Sequence, residues 1–189
     1  MASILVLYGT GEGQTATVAD RIATVLADRG HDAETVDATE WPGGRDVDAF
    51  DAVLVGASVH GGTHQPAVRE FVAANREALR ARPTAFFQVS LSAAVDDPER
   101  QAIAAQNVTD FLAAADWHPD RVGVFGGALR YTEYGFLMRL VMQRIAKRAT
   151  GDTDTSRDYE YTDWDEVEAF AADFAAVVEE LVDDVPTGK

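Results

Sequence analysis

Apolar runs of strand length alternate strictly with amphipathic stretches along this chain. The runs fall at 3–8, 33–37, 51–57, 84–90 and 121–128, and helical patterns at 15–29, 66–80, 98–115 and 164–183. Strands joined by helices that long run parallel, because a hairpin needs only a few residues whereas a parallel return needs a crossover of a dozen or more. The expected fold is therefore α/β, a doubly wound five-stranded parallel sheet. Local signals agree: Pro66 and Pro98 stand where a first helical turn tolerates a missing N–H, and Asp163 with Glu166 has the spacing of a capping box. At 189 residues one domain over 1–183 is expected, with 184–189 as a frayed tail.

The first strand, Ser3-Ile4-Leu5-Val6-Leu7-Tyr8, runs straight into Gly9-Thr10-Gly11-Glu12-Gly13-Gln14-Thr15 and then into an alanine-rich helix. A strand, a glycine loop and a helix N-terminus make an anion cradle: small residues let successive N–H groups converge, and Thr10 and Thr15 add hydroxyls. The loop lacks the lysine of a G-x-x-x-x-G-K-[ST] P-loop, and its glycine spacing does not match the dinucleotide G-x-G-x-x-G. A single phosphate group suits it; a plain glycine-rich turn is the other reading. Five strands with a monophosphate loop after the first favour the flavodoxin-like order 2-1-3-4-5, in which the loops after strands 1, 3 and 4 meet at the switch point.

Those other loops are Gly56-Ala57-Ser58-Val59-His60-Gly61-Gly62-Thr63-His64 and Ser90-Leu91-Ser92-Ala93-Ala94. Their small, polar character lets backbone groups approach the edge of a flat ring such as an isoalloxazine, although either loop alone could simply turn the chain. The cofactor-binding candidates are thus Thr10, Gly11, Glu12, Gly13, Gln14, Thr15, Ser58, Val59, His60, Gly61, Ser90, Leu91 and Ser92, with Glu12 expected to point away from the phosphate. His60 and His64 are i, i+4 on a glycine-rich loop with no acidic ligand nearby, so no metal is expected; a contact at the flavin edge or solvent exposure is expected for both.

Composition excludes much else. The formal net charge is -16, from 32 acidic and 16 basic residues, and Lys147 and Lys189 are the only lysines. Such acidity argues against nucleic acid and suits a high-salt, halophilic cytoplasm, where carboxylates keep a surface hydrated. The chain has no cysteine, so redox chemistry must belong to a cofactor. It enters a strand at once and nowhere runs about 18 apolar residues together, so a cytoplasmic protein is expected.

One stretch exceeds what a crossover needs. Between the fifth strand and the last helix, from about 129 to 160, an inserted helix is expected near 135–149. Arg130, Arg139, Arg144, Lys147 and Arg148 against Glu133 make residues 130–148 locally cationic. Phe136 and Leu140 fall among these basic residues, opposite the Leu137, Met138, Val141, Met142 and Ile145 face. The helix either packs on both sides with its arginines paired to the acidic body, or meets an acidic substrate or the anionic membrane at the inner face of the cell, the latter as a peripheral contact.

Several phrases carry a family resemblance: Thr10-Gly11-Glu12-Gly13-Gln14-Thr15, Gly56-Ala57-Ser58, Trp117-His118-Pro119-Asp120-Arg121, Gly127-Ala128-Leu129-Arg130-Tyr131, and Gly151-Asp152-Thr153-Asp154-Thr155 followed by Tyr161-Thr162-Asp163-Trp164. Over nearly its whole length the chain resembles the flavodoxin-fold, quinone-dependent protoporphyrinogen IX dehydrogenase family. The resemblance implies FMN as cofactor, a porphyrinogen-like donor such as protoporphyrinogen IX, and a quinone as acceptor; Arg130, Tyr131 and His60 are the candidates for a catalytic residue. This chain departs from the family's pattern in having His60-Gly61 where an Arg-Tyr pair is expected, and Ser90-Leu91-Ser92 where an Asn-containing loop is expected. The alternative is a flavodoxin-type electron carrier docking to protein redox partners. Such carriers enclose their ring between aromatic side chains, which these two loops do not offer.

Overall fold

The computed structural model describes residues 1–41, 45–94, 96–129, 143, 147, 154, 156 and 158–183. The expected inserted helix, Arg130, Tyr131 and the expected tail at 184–189 lie outside the described residues apart from Gln143 and Lys147.

The chain runs β1 (Ser3–Gly9), α1 (Gln14–Asp28), β2 (Asp32–Asp37), β3 (Ala52–His60), β4 (Thr63–His64), α2 (Pro66–Ala74), α3 (Arg76–Arg80), β5 (Thr84–Ser90), α4 (Pro98–Ala115), β6 (Arg121–Gly126), β7 (Ala128–Leu129), β8 (Tyr159–Glu160) and α5 (Trp164–Asp183). The sheet order is β2-β1-β3-β5-β6, every pair along it parallel, with β4 turned antiparallel onto the end of β3. Counting only the parallel strands, that is the expected 2-1-3-4-5.

Strand pleating explains the three layers. Successive side chains point to opposite faces, and in β1 both faces are apolar: Ile4 and Val6 face one layer, Leu5 and Leu7 the other. On the first face α1 and α5 pack through Val18, Ile22, Leu26, Phe170, Phe174 and Val178. On the second, Val68, Phe71 and Val72 of α2, Leu79 of α3 and Phe111 of α4 close over Leu7, Val55 and Phe86. All these residues are at most 9% exposed. Side-chain pairs Arg21–Glu168 and Arg29–Glu179 clip α1 to α5 at the surface.

Helix starts follow the expected signals. Pro66 and Pro98 each open a helix, Asp97 accepts from the Glu99 amide at 2.9 Å, and Asp163 accepts from the amides of Asp165 and Glu166 at 3.0 and 3.2 Å. The Trp117–Arg121 phrase serves the core. Trp117 is 1% exposed and donates its indole N–H to Thr84 Oγ1 at 3.2 Å, while the Asp120 carboxylate caps the Thr84 amide at 2.8 Å.

Several boundaries differ from the sequence expectation. The helix expected over 66–80 breaks at Asn75, whose amide Nδ2 donates to Phe71 O at 2.8 Å and competes with the helical ladder. The fifth parallel strand stops at Gly126; Ala128–Leu129 instead pair with Tyr159–Glu160, tying together the two ends of the stretch expected as an insertion. Gly126 is required there, because a Cβ would lie 2.4 Å from Tyr161 O.

Candidate functional site

The loops after β1, β3 and β5 converge, as the strand order demands. They enclose a cavity of about 310 Å³ lined by Thr10, Glu12, Gln14 and Thr15 from the first loop, Ser58, Val59, His60 and Gly61 from the second, and Ser90, Leu91 and Ser92 from the third. Gly11 and Gly13, also expected to bind the cofactor, are not among the lining residues; Gly11 is exposed beside the His60 ring, where a Cβ would lie 2.4 Å from Nε2. Glu12, expected to turn away, is half-buried and contributes to the cavity wall.

The first loop has the properties of an anion site. Gly13 precedes α1 in the left-handed conformation, φ 86°, which a side chain would strain, and no side chain caps the helix. The helix start thus carries its positive dipole end without a capping side chain, and α1 has no acidic residue in that turn to repel an anion. The Thr10 hydroxyl accepts from the Gly13 amide at 2.8 Å, leaving its proton to donate. Gln14 and Thr15 are 5% and 1% exposed, so these groups sit in a largely dry wall.

A relay of hydrogen bonds ties the first loop to the third. Gln14 Nε2 donates to Thr162 Oγ1 at 2.8 Å and Glu160 Oε1 at 3.2 Å, and the Thr162 hydroxyl donates to Gly126 O at 2.8 Å. Gly127 N donates to Ser90 O and Tyr161 N to Gly127 O, both at 3.1 Å. The Tyr161-Thr162 phrase thus locks the first loop to the third. The second loop is pinned separately, Gln65 Nε2 donating to Ser58 Oγ at 3.0 Å.

His64 corrects the sequence expectation. It neither meets the cavity nor faces solvent: it is 5% exposed, 4.7 Å from the Phe111 ring and 5.5 Å from the Phe86 ring between centroids. The cause is β4. Gly61 and Gly62, at φ 59° and 81°, turn the chain back so that His64 pairs with Val59 and its side chain enters the core. There Nε2 meets Gln88 Oε1 at 2.8 Å, while Gln88 Nε2 donates to Ala104 O at 3.0 Å. That second bond orients the amide with its oxygen toward His64, so Nε2 carries the proton. Burial pushes the imidazole pKa below its ordinary value of 6.5, the Gln88 bond opposing the shift only in part. His60, by contrast, is exposed at the cavity rim, as expected.

Sequence reasoning missed the remaining wall. Gly62, Val89, Gly127 and Ala128 complete the loops, and α4 contributes Arg100, Ile103 and Asn107. Their i, i+3, i+7 spacing, with an isoleucine on the polar face of a helix, was the available signal. Among the described residues no group of His, Cys, Asp and Glu could hold a metal ion, and no helix is long and apolar enough to cross a membrane.

Residues 5–156 match the Flavodoxin domain family. The chain is 39% identical to the protoporphyrinogen IX dehydrogenase [quinone] of Leishmania major, over 92% of this chain and 74% of that protein. It is 33% identical to the protein of the same name from Escherichia coli (strain K12), over 90% of this chain and 93% of that one. Its fold is similar to oxidised flavodoxin 1 of Bacillus cereus, with TM-score 0.52, 15% identity and coverage of 92% and 97%, and to a flavodoxin from the domain Archaea, with TM-score 0.54, 14% identity and coverage of 94% and 99%. With these relatives, the flavodoxin sheet order and the three-loop cavity at its switch point, the chain belongs to the flavodoxin-fold protoporphyrinogen IX dehydrogenase [quinone] family, a family of flavodoxin-type oxidoreductases.

Proposed function

We propose that the protein binds FMN in this cavity, oxidises a porphyrinogen, protoporphyrinogen IX by kinship, and passes the electrons to a quinone. The observation that carries the reading is the uncapped N-terminus of α1 opening onto a cavity walled by all three switch-point loops. The first-turn amides of α1 and the Thr10 and Thr15 hydroxyls would hold the single phosphate. Backbone groups of 58–61 and 90–92 would meet the edge of the ring. FMN supplies, when bound, the two-electron chemistry that a chain without cysteine lacks.

The protein's own part is positional. The Gln14–Thr162–Gly126 and Ser90–Gly127–Tyr161 bonds hold the loops rigid, so that the site does not have to be assembled when donor arrives. No Trp, Tyr or Phe lines the cavity among the described residues. The loops after β3 and β5 therefore do not offer the aromatic pair with which a carrier shields its flavin, which supports the enzyme reading. Arg130 and Tyr131 remain the proposed catalytic candidates beside His60. The cationic segment 135–149, expected from the sequence to be a helix, is the proposed meeting point with membrane quinone.

Anaerobic mixing tests the reading. Protoporphyrinogen IX should bleach the oxidised flavin absorbance of the loaded protein, and added quinone should restore it. A flavin that protoporphyrinogen leaves untouched, while protein redox partners exchange electrons with it, would identify a carrier instead.

A further inference from the structure

The α4 wall of the cavity is unlike the rest. The three loops bring Glu12, Gln14 and His60 and the apolar Val59, Val89 and Leu91 to the lining, whereas α4 sets a cation and an amide beside an exposed isoleucine: Arg100, Asn107 and Ile103. Their spacing puts them on one stripe of the helix, beside the stripe of Ala104, Val108 and Phe111 that is buried in the core. Ile103 is 51% exposed, and of the four large apolar residues left open among the described ones it alone lines the cavity. Arg100 is the only arginine or lysine among the described lining residues, in a chain of net charge -16.

Neither feature serves a phosphate already placed at α1, nor a ring edge met by backbone. Together they match a donor that is broad and apolar with anionic arms. We infer that the Arg100–Ile103–Asn107 face of α4 is the specificity wall for the organic donor, seating a carboxylate-bearing tetrapyrrole. The Arg100 guanidinium pairs with a carboxylate arm, Ile103 packs on the macrocycle, and Asn107 offers an amide to its polar edge. The inference rests on the proposed porphyrinogen reading and supplies the cation that His60-Gly61 leaves missing from the β3 loop.

The test uses FMN-loaded protein and two probes, protoporphyrin IX and its dimethyl ester, whose binding is read by quenching of porphyrin fluorescence in one detergent buffer. Turnover of the corresponding porphyrinogens with a soluble quinone is measured in parallel. Arg100→Gln should weaken binding of the diacid and raise its KM about tenfold, the loss expected for one charge-assisted hydrogen bond, while leaving the ester unmoved. Arg100→Lys should recover most of that loss. Ile103→Asn should weaken diacid and ester alike, and FMN content should stay at one per chain throughout.

A diacid and an ester shifted equally by Arg100→Gln, or FMN lost from any variant, would overturn the inference, since the wall would then hold the flavin or the fold. Wild-type turnover with both KM values unmoved by either substitution would sink the inference and leave the proposed function standing. Arg100-dependent binding of the diacid without any wild-type turnover would do the reverse. If wild type neither binds nor oxidises the porphyrin pair, both fail.

Discussion

The pair formed by His64 and Gln88 should behave as one energetic unit. Gln88 is fully buried, and its two hydrogen bonds, 2.8 Å to His64 Nε2 and 3.0 Å to Ala104 O, link the β3–β4 hairpin to α4, two walls of the same cavity. Gln88→Leu strands a buried imidazole N–H, and His64→Phe strands a buried amide oxygen; each should cost about 1–3 kcal/mol, the price of an orphaned buried polar group. Ala104 O adds little, because an α-helical carbonyl also accepts from the amide four residues on. The double variant removes both partners and leaves two apolar side chains beside Phe86 and Phe111, so it should cost less than the sum by about 2 kcal/mol. Urea midpoints at constant m give the cycle, and each kcal/mol should also appear as about 2–4 °C in Tm.

The same cycle has a pH arm. Because the folded-state pKa of His64 lies below 6.5, the unfolded chain takes up a proton that the folded chain refuses as pH falls through that value. Stability from the neutral imidazole is therefore complete above pH 6.5 and declines below it, by up to about 1.4 kcal/mol per pH unit until the folded pKa is reached. His64→Phe has no such loss. Its cost relative to wild type should shrink as pH is lowered from 7 toward 5. Additive single costs, together with a His64→Phe cost that is constant with pH, would refute the buried-pair account.

Three further outcomes are expected. Purified protein should be yellow and release FMN rather than FAD on denaturation, and Gly13→Val should weaken FMN binding, since a non-glycine residue in the left-handed region costs about 1–2 kcal/mol before any contact with the phosphate is lost; equilibrium dialysis reads the change, and unchanged affinity would mean that the phosphate lies elsewhere. With a net charge of -16 the fold should gain stability as KCl rises toward molar concentration, and a Tm flat with salt would remove the halophilic account of the composition. Replacing Phe136 and Leu140 together by Ser should abolish co-sedimentation with anionic vesicles and slow turnover with a long-chain quinone only; equal loss with a soluble quinone analogue would make those residues part of the packed core.

What the sequence by itself determined here is local or periodic. The alternation of apolar runs dictated parallel strands and crossovers, because no other arrangement buries strands that are apolar on both faces. Pro66, Pro98 and Asp163 marked helix starts through backbone chemistry confined to a single turn. The glycine loop between β1 and α1 was legible for the same reason, since Gly9, Gly11 and Gly13 fall within a few residues at the end of an apolar strand. Where an outcome depended on which distant segment arrived beside it, only the tertiary structure could decide. His64 sits on a glycine-rich loop that reads as exposed, and it is buried because β4 folds back against β3 and presents it to Gln88, Phe86 and Phe111. Gln14 reads as a loop residue, yet it is held by Thr162, 148 positions away. Ile103 reads as a stray apolar residue on a polar helix face until the three loops place a cavity in front of it. In each case the governing quantity is the burial of a polar or apolar group by a partner remote in sequence, and no local pattern encodes the identity of that partner.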